Sequence, residues 1–140
     1  MNELKINHLA VVVCVVIMFA IGFLWYGPLF GERWMSMVKI DMAAVEANPP
    51  GMGIWITNIV SCVASLYMLA WLFTKLNVTE GLRGAMLGFL ISFCFHHLNE
   101  MNSNGFAGAP YGLAWITGGY SLVSMTISGF ILGAWTKKTG

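Results

Sequence analysis

The chain contains very little charge for its 140 residues. Only 9% of them are charged, 7 basic and 6 acidic, whereas 58% are hydrophobic. A typical soluble domain has about 25% charged residues, and so few charged side chains do not cover the surface of a water-soluble fold of this length. The net charge of +1 also lacks the basic excess that is typical of nucleic-acid binding. We therefore expect the lipid bilayer as the main partner and no nucleic acid.

Catalytic and metal-binding motifs are also scarce. The three cysteines each lie in an apolar stretch without Cys-x-x-Cys spacing, so we interpret them as small buried hydrophobic side chains. The serines of the apolar stretches lack the Gly-x-Ser-x-Gly context of a nucleophile. The sequence therefore predicts no cofactor, no firm metal site and no catalytic residue, and it favours a non-enzymatic protein over an enzyme.

Long uncharged stretches predict membrane-spanning helices, because crossing the hydrocarbon takes about 20 apolar residues. Four segments fit, at 7–27, 52–74, 80–98 and 111–136. The stretch 11–17 is apolar at every position, which argues against the alternating pattern of barrel strands. We predict an all-α integral membrane bundle of four transmembrane helices, one domain over 1–140, with a short interfacial helix at 32–38 in the first loop.

The basic residues predict the orientation, since short cytoplasmic loops are enriched in Lys and Arg. One face, which carries both termini and the second loop, has Lys5, Lys75, Arg83, Lys137 and Lys138. The opposite face has only Arg33 and Lys39. We expect a multi-pass protein with cytoplasmic N- and C-termini. The first span continues into Trp25 and Tyr26 without a small-x-small cleavage site, so we interpret it as a retained anchor.

Small residues recur every three or four positions along the third and fourth predicted helices, a pattern that lets helix backbones approach closely in lipid. These positions are Gly84, Gly88 and Ser92, then Gly118, Ser121, Gly129 and Gly133. We expect both stripes in the bundle interior or at a subunit contact. Two such stripes also suggest a homo-oligomer.

A histidine–carboxylate group ends the third predicted helix. His96 and Glu100 are four residues apart and His97 and Glu100 three apart, so each pair shares a helix face. Because His96 continues the small-residue stripe four residues after Ser92, we expect it to point into protein. A structural role near the interface is the favoured interpretation. A site for a polar solute or lipid headgroup, or a weakly indicated metal site, are alternatives.

The segment 25–35 resembles a signature of the family called domain of unknown function 1761, a group of small bacterial membrane proteins. The matching residues are Trp25, Tyr26, Gly27, Pro28, Phe30, Gly31 and Trp34. Weaker resemblance continues at 77–81 and 119–125. It implies four spans and a bacterial inner membrane, and it supplies no activity.

Three functions therefore remain open. The favoured one is a self-associating, non-enzymatic membrane module whose aromatic Gly-Pro motif shapes the outer loop. A small oligomeric transporter or channel is the alternative, although the first helix lacks the buried carboxylate that would couple protons to cargo. A membrane enzyme, or a metal or lipid-headgroup site at His96, His97 and Glu100, is the third.

Overall fold

A computed structural model describes residues 3–139. Its helices are α1 (His8–Leu24), α2 (Gly31–Val38), α3 (Met42–Ala47), α4 (Met52–Lys75), α5 (Gly81–Ser92), α6 (Leu98–Phe106) and α7 (Tyr111–Ala134). Two π-helical turns interrupt them, Trp25–Leu29 after α1 and Phe93–His97 between α5 and α6. Two short strands, β1 (Leu4–Lys5) and β2 (Lys137–Lys138), pair antiparallel with Leu4 opposite Lys138. The all-α prediction is confirmed apart from this small ribbon.

Three helical segments are long and apolar enough to cross a membrane: His8–Leu29, Met52–Lys75 and Tyr111–Ala134. They match three of the predicted spans to within a few residues. The segment 81–106, which is not one of the three, is one helical run through the second π turn. Its apolar stretch is interrupted by Arg83 near the start and by two histidines in the π turn.

The third helix was predicted to end at residue 98, and this boundary is wrong, because the chain stays helical as far as Phe106. The Asn99 side-chain amide donates to the Phe95 carbonyl oxygen at 3.0 Å, so this polar side chain bonds to the backbone of its own helical run. The α6 helix also packs on α7. The tertiary contact therefore outweighs the turn preference of a segment rich in Asn, Ser and Gly.

The first loop contains the helix predicted at 32–38, which forms as α2, and a second short helix, α3. Asp41 caps α3 by accepting a hydrogen bond from the Ala43 amide at 3.0 Å. The 49–50 Pro-Pro pair follows α3, and α4 begins at Met52 after an extended Gly51. The loop is therefore a folded connection of two short helices between α1 and α4.

The small-residue stripes face each other along α5 and α7, which form the most extensive contact of the bundle. A Cβ at Gly84 would overlap the Gly129 carbonyl, one at Gly88 the Met125 carbonyl, and one at Gly133 would lie 2.5 Å from the Glu80 oxygen. The Ser92 and Ser121 hydroxyls bond across the pair at 2.8 Å. Of the two predicted locations, the stripes therefore lie in the bundle interior.

The two remaining long helices, α1 and α4, do not pack equally on all of their neighbours. Helix α1 packs on α7 and on α4, and α4 also contacts α7. The core includes Val11, Cys14 and Leu66. Helices α4 and α5 are consecutive in the chain, yet they are not among the element pairs that pack extensively within 3–139. A cleft therefore lies between them.

Candidate functional site

The π turn at Phe93–His97 decides which histidine faces the protein. Ser92 is buried against α7, and the next buried position is His97, five residues later, rather than His96. A five-residue turn inserts one extra residue into the four-residue spacing of the stripe. The expectation that His96 points into protein is therefore wrong: its side chain is 53% exposed, whereas His97 is 0% exposed.

His97 lies in an aromatic pocket. Its ring stacks on Phe93 with centroids 5.7 Å apart and meets Trp115 edge-on at 4.7 Å. The ring lies so close to Gly118 that a Cβ there would overlap it. Neither ring nitrogen has a hydrogen-bond partner among the described residues. His97 therefore fills space between the π turn and α7, and its ring nitrogens have no hydrogen-bond partner in the described chain.

Glu100 lies one turn further along the same face and links three elements. Its Oε1 accepts a hydrogen bond from the Thr117 hydroxyl of α7. Its buried Oε2 has no hydrogen-bond partner within residues 3–139 and lies 3.8 Å from His96 Nε2. The carboxylate is also within electrostatic range of Tyr26. The structure thus brings His96 and Glu100 together, and Thr117 is a partner that the sequence did not indicate.

No three His, Cys, Asp or Glu side chains within residues 3–139 come close enough together to hold a metal ion. His96 and His97 point in different directions because they are adjacent on a helix. The metal alternative therefore has no ligand set in the described chain, and what the group offers is hydrogen bonding.

The cleft between α4 and α5 is an open groove with a volume of about 670 Å³. Helix α4 forms one wall, α5 with the π turn forms the other, and α7 with Met18 of α1 forms the floor. Its polar lining consists of Asn58, Ser61, Ser65, Ser92, His96, Tyr120 and Ser121. Its apolar lining includes Met68, Leu69, Leu72, Ile91 and Met125. The sequence signal for this wall was the three- and four-residue spacing of Asn58, Ser61 and Ser65.

The aromatic motif after α1 fastens the first span to α7. The Trp25 indole donates to the Ile116 carbonyl oxygen at 2.8 Å. Tyr26 contacts Tyr120 at 5.6 Å and Trp34 of α2 at 5.3 Å between ring centroids. The motif therefore lies beside the Glu100 group.

The sequence profile of a family described as "Protein of unknown function (DUF1761)" matches residues 9–133, nearly the whole chain. The chain belongs to the DUF1761 family. Neither the curated proteins nor the solved structures include a match. The resemblance inferred from residues 25–35 is thereby confirmed.

In this DUF1761 chain the two motif glycines have distinct structural roles. Gly27 departs from helical backbone, with φ −102° and ψ −106°, and the following Pro28 has no amide hydrogen to continue the helix. A Cβ at Gly31 would lie 2.5 Å from the Tyr26 carbonyl oxygen. Phe30 packs on Trp25 at 4.7 Å. The motif thus turns the chain sharply from α1 into α2 and brings Trp34 back onto Tyr26.

Proposed function

We propose that this protein is a four-span integral membrane protein that binds an amphipathic molecule from the bilayer in the α4–α5 cleft without transforming it. The observation that carries the proposal is the cleft itself, a space of about 670 Å³ between α4, which is long enough to span a membrane, and α5. Small-molecule sites typically measure about 300–1,000 Å³.

The pairing of β1 with β2 supports four spans. The two strands place the two ends of the described chain at the same end of the bundle. An even number of crossings is needed for this, and His8–Leu29, Met52–Lys75 and Tyr111–Ala134 supply three. The segment 81–106 is about 39 Å long at 1.5 Å per residue, enough for a hydrocarbon core of about 30 Å. It is therefore the fourth span in this proposal.

The basic residues support the orientation within this proposal. Lys5, Lys137 and Lys138 lie on the strand pair, and Lys75 ends α4 at the turn into α5. The positive-inside rule then assigns this end to the cytoplasm, in agreement with the bacterial inner membrane that the resemblance implies. The opposite end, with Glu100 and the aromatic motif, faces outward, and α2 lies at that interface.

The polar lining of the cleft favours the proposal that a molecule is bound there. Asn58 lies about 9 Å along α4 from Met52, at a rise of 1.5 Å per residue, and is exposed. In hydrocarbon an amide without a hydrogen-bond partner costs several kcal/mol. The apolar side chains on both walls meanwhile suit an acyl or isoprenoid chain. An amphipathic guest would supply a hydrogen-bond partner for the amide and an apolar chain for the apolar side chains.

A binding role is better supported than the other functions considered. The small-residue stripes pack on each other within one chain, so they offer no free surface for the proposed homo-oligomer. Self-association would instead use the outer half of α4, where residues 51–61 are all exposed. A proton-coupled transporter would require a carboxylate in its path, and no Asp or Glu of the described chain lines the cleft.

Ser65→Trp tests the cleft, because the indole would fill it from the α4 wall. Ala64→Trp is the matched control, since Ala64 is exposed at the same depth and does not line the cleft. Each protein is purified in mild detergent, and the copurified lipids are identified by mass spectrometry. We expect one enriched amphiphile with the wild type and the control, and its loss with Ser65→Trp. Identical bulk lipid in all three would contradict the proposal.

Cysteine labelling tests the fourth span in a background whose three native cysteines are replaced. Thr79→Cys lies in the turn between α4 and α5, and Ala107→Cys follows α6. We expect an impermeant maleimide to label only Ala107→Cys in cells with an opened outer membrane. Labelling of both positions from the same side would show that 81–106 does not cross.

A further inference from the structure

We infer that the head of the bound amphiphile is uncharged and carries carbonyl or hydroxyl oxygens, as in an isoprenoid quinone or a diacylglycerol. This inference rests on the proposed function and adds the chemical class of the guest. It follows from the charge, the hydrogen-bonding capacity and the polarity gradient of the cleft.

None of the described residues that line the cleft is Lys, Arg, Asp or Glu. A phosphate group that moved from water into the cleft would contact only hydroxyls, one amide, one thiol and one imidazole. A buried charge without an opposite charge is strongly disfavoured. The composition of the lining therefore selects against phospholipid headgroups and in favour of an uncharged head.

His96 does not alter the preference of the lining for an uncharged head. It is the one imidazole of the lining, and its Nε2 lies 3.8 Å from Glu100 Oε2. Because the Glu100 carboxylate lies beside the ring, it repels an anionic head that approaches His96. Glu100 is also held from the other side by Thr117. It acts here as a positioning residue for His96.

Most hydroxyls of the cleft already have partners. Tyr120 donates to the Met18 carbonyl oxygen at 3.0 Å, and Ser65 donates to the Ser61 carbonyl oxygen at 2.8 Å. Ser92 and Ser121 bond to each other.

Among the described residues, the Asn58 amide and the His96 ring make no hydrogen bond within the protein. Both donors lie toward the outward end of the cleft, on opposite walls. They suit a head with one or two acceptor oxygens.

The far part of the cleft suits a tail. Toward the cytoplasmic end α4 contributes Met68, Leu69 and Leu72, and α7 contributes Met125. Flexible methionine and leucine side chains adapt to an irregular apolar chain. The polar-to-apolar order along the cleft therefore orients the guest with its head outward.

Diacylglycerol and phosphatidic acid with identical acyl chains test the inference, because they differ only in the phosphate. The delipidated full-length protein is placed in phosphatidylcholine nanodiscs doped with one of these lipids or with an isoprenoid quinone. Occupancy is measured by native mass spectrometry. We expect diacylglycerol, the quinone or both to bind at least about tenfold more tightly than phosphatidic acid, and Ser65→Trp to abolish binding.

Asn58→Leu and His96→Leu should each weaken binding of the uncharged guest by about two- to tenfold, the usual effect of one lost hydrogen bond. Thr57→Leu is the matched control, because Thr57 is exposed, bonds to the Gly53 carbonyl and does not line the cleft. Equal or tighter binding of phosphatidic acid, still sensitive to Ser65→Trp, would overturn the inference and leave the proposed function standing. Absence of any binding sensitive to Ser65→Trp would instead overturn the proposed function.

Discussion

Replacing Gly84 with alanine places a methyl group where α5 and α7 come closest. The added Cβ would lie 3.0 Å from the Gly129 carbonyl carbon and 3.0 Å from the Phe73 ring, and would overlap the Gly129 oxygen. Ordinary contact begins near 3.4 Å. The carbonyl belongs to the backbone of α7, so the two helices must move apart rather than one side chain turning away.

The loss of stability follows from the separation of the two helices. A gap of about 0.5–1 Å forfeits a quarter to a half of the contact energy of each atom pair along the interface, and overpacking typically costs about 1–3 kcal/mol. We therefore expect Gly84→Ala to lower the free energy of unfolding by about 2 kcal/mol. Without the contact, alanine in a helix would raise it by about 0.5–1 kcal/mol.

The measurement is reversible unfolding in mixed micelles, followed by circular dichroism during titration with sodium dodecyl sulfate. Gly105→Ala is the control, because Gly105 lies in α6 and a Cβ there meets nothing within 4 Å. If Gly84→Ala is as stable as wild type, or gains stability as the control does, the reasoning on the α5–α7 contact is refuted.

Three further changes test contacts near the two ends of the bundle. Gly118→Ala should destabilise the protein by about 1–3 kcal/mol, because the new methyl overlaps the His97 ring; chemical denaturation that shows no loss would contradict this packing. Trp25→Phe should lower stability by about 1 kcal/mol through loss of its bond to the Ile116 carbonyl, and an unchanged melting temperature would argue against that bond. Asn7→Ala should cost about 1 kcal/mol, since Asn7 caps α1; a stability equal to wild type would mean the cap contributes nothing.

The helix bounds were predictable where a long apolar stretch sets the length of the helix. The spans predicted at 52–74 and 111–136 lie within two residues of α4 and α7 at each end. The small-residue stripes correctly indicated a close helix contact, because glycine spacing is a local property of sequence. The identity of the partner stripe is a tertiary property, and the sequence left open whether it belonged to the same chain.

The candidate site was less predictable. A π turn is set by the packing around it, so nothing in the residues 93–97 indicated that His97 rather than His96 would be buried. The cleft depends on α4 lying apart from α5, which hydrophobic periodicity does not encode. The serines of α4 lack a nucleophile context in the sequence. In the structure Ser65 donates to the Ser61 carbonyl oxygen, and both serines line the cleft.

Site-specific photo-cross-linking in intact membranes tests most directly whether the α4–α5 cleft holds an uncharged amphiphile. A compact aliphatic diazirine side chain, much smaller than the Ser65→Trp indole that fills the cleft, is placed at Ser65, on the cleft wall, or at the adjacent Ala64, on the outer surface of α4. After illumination, the mass of the protein adduct is measured. We predict an adduct of one uncharged amphiphile at 65 and only bulk phospholipid at 64. The same phospholipid adducts at both positions would contradict the central claim.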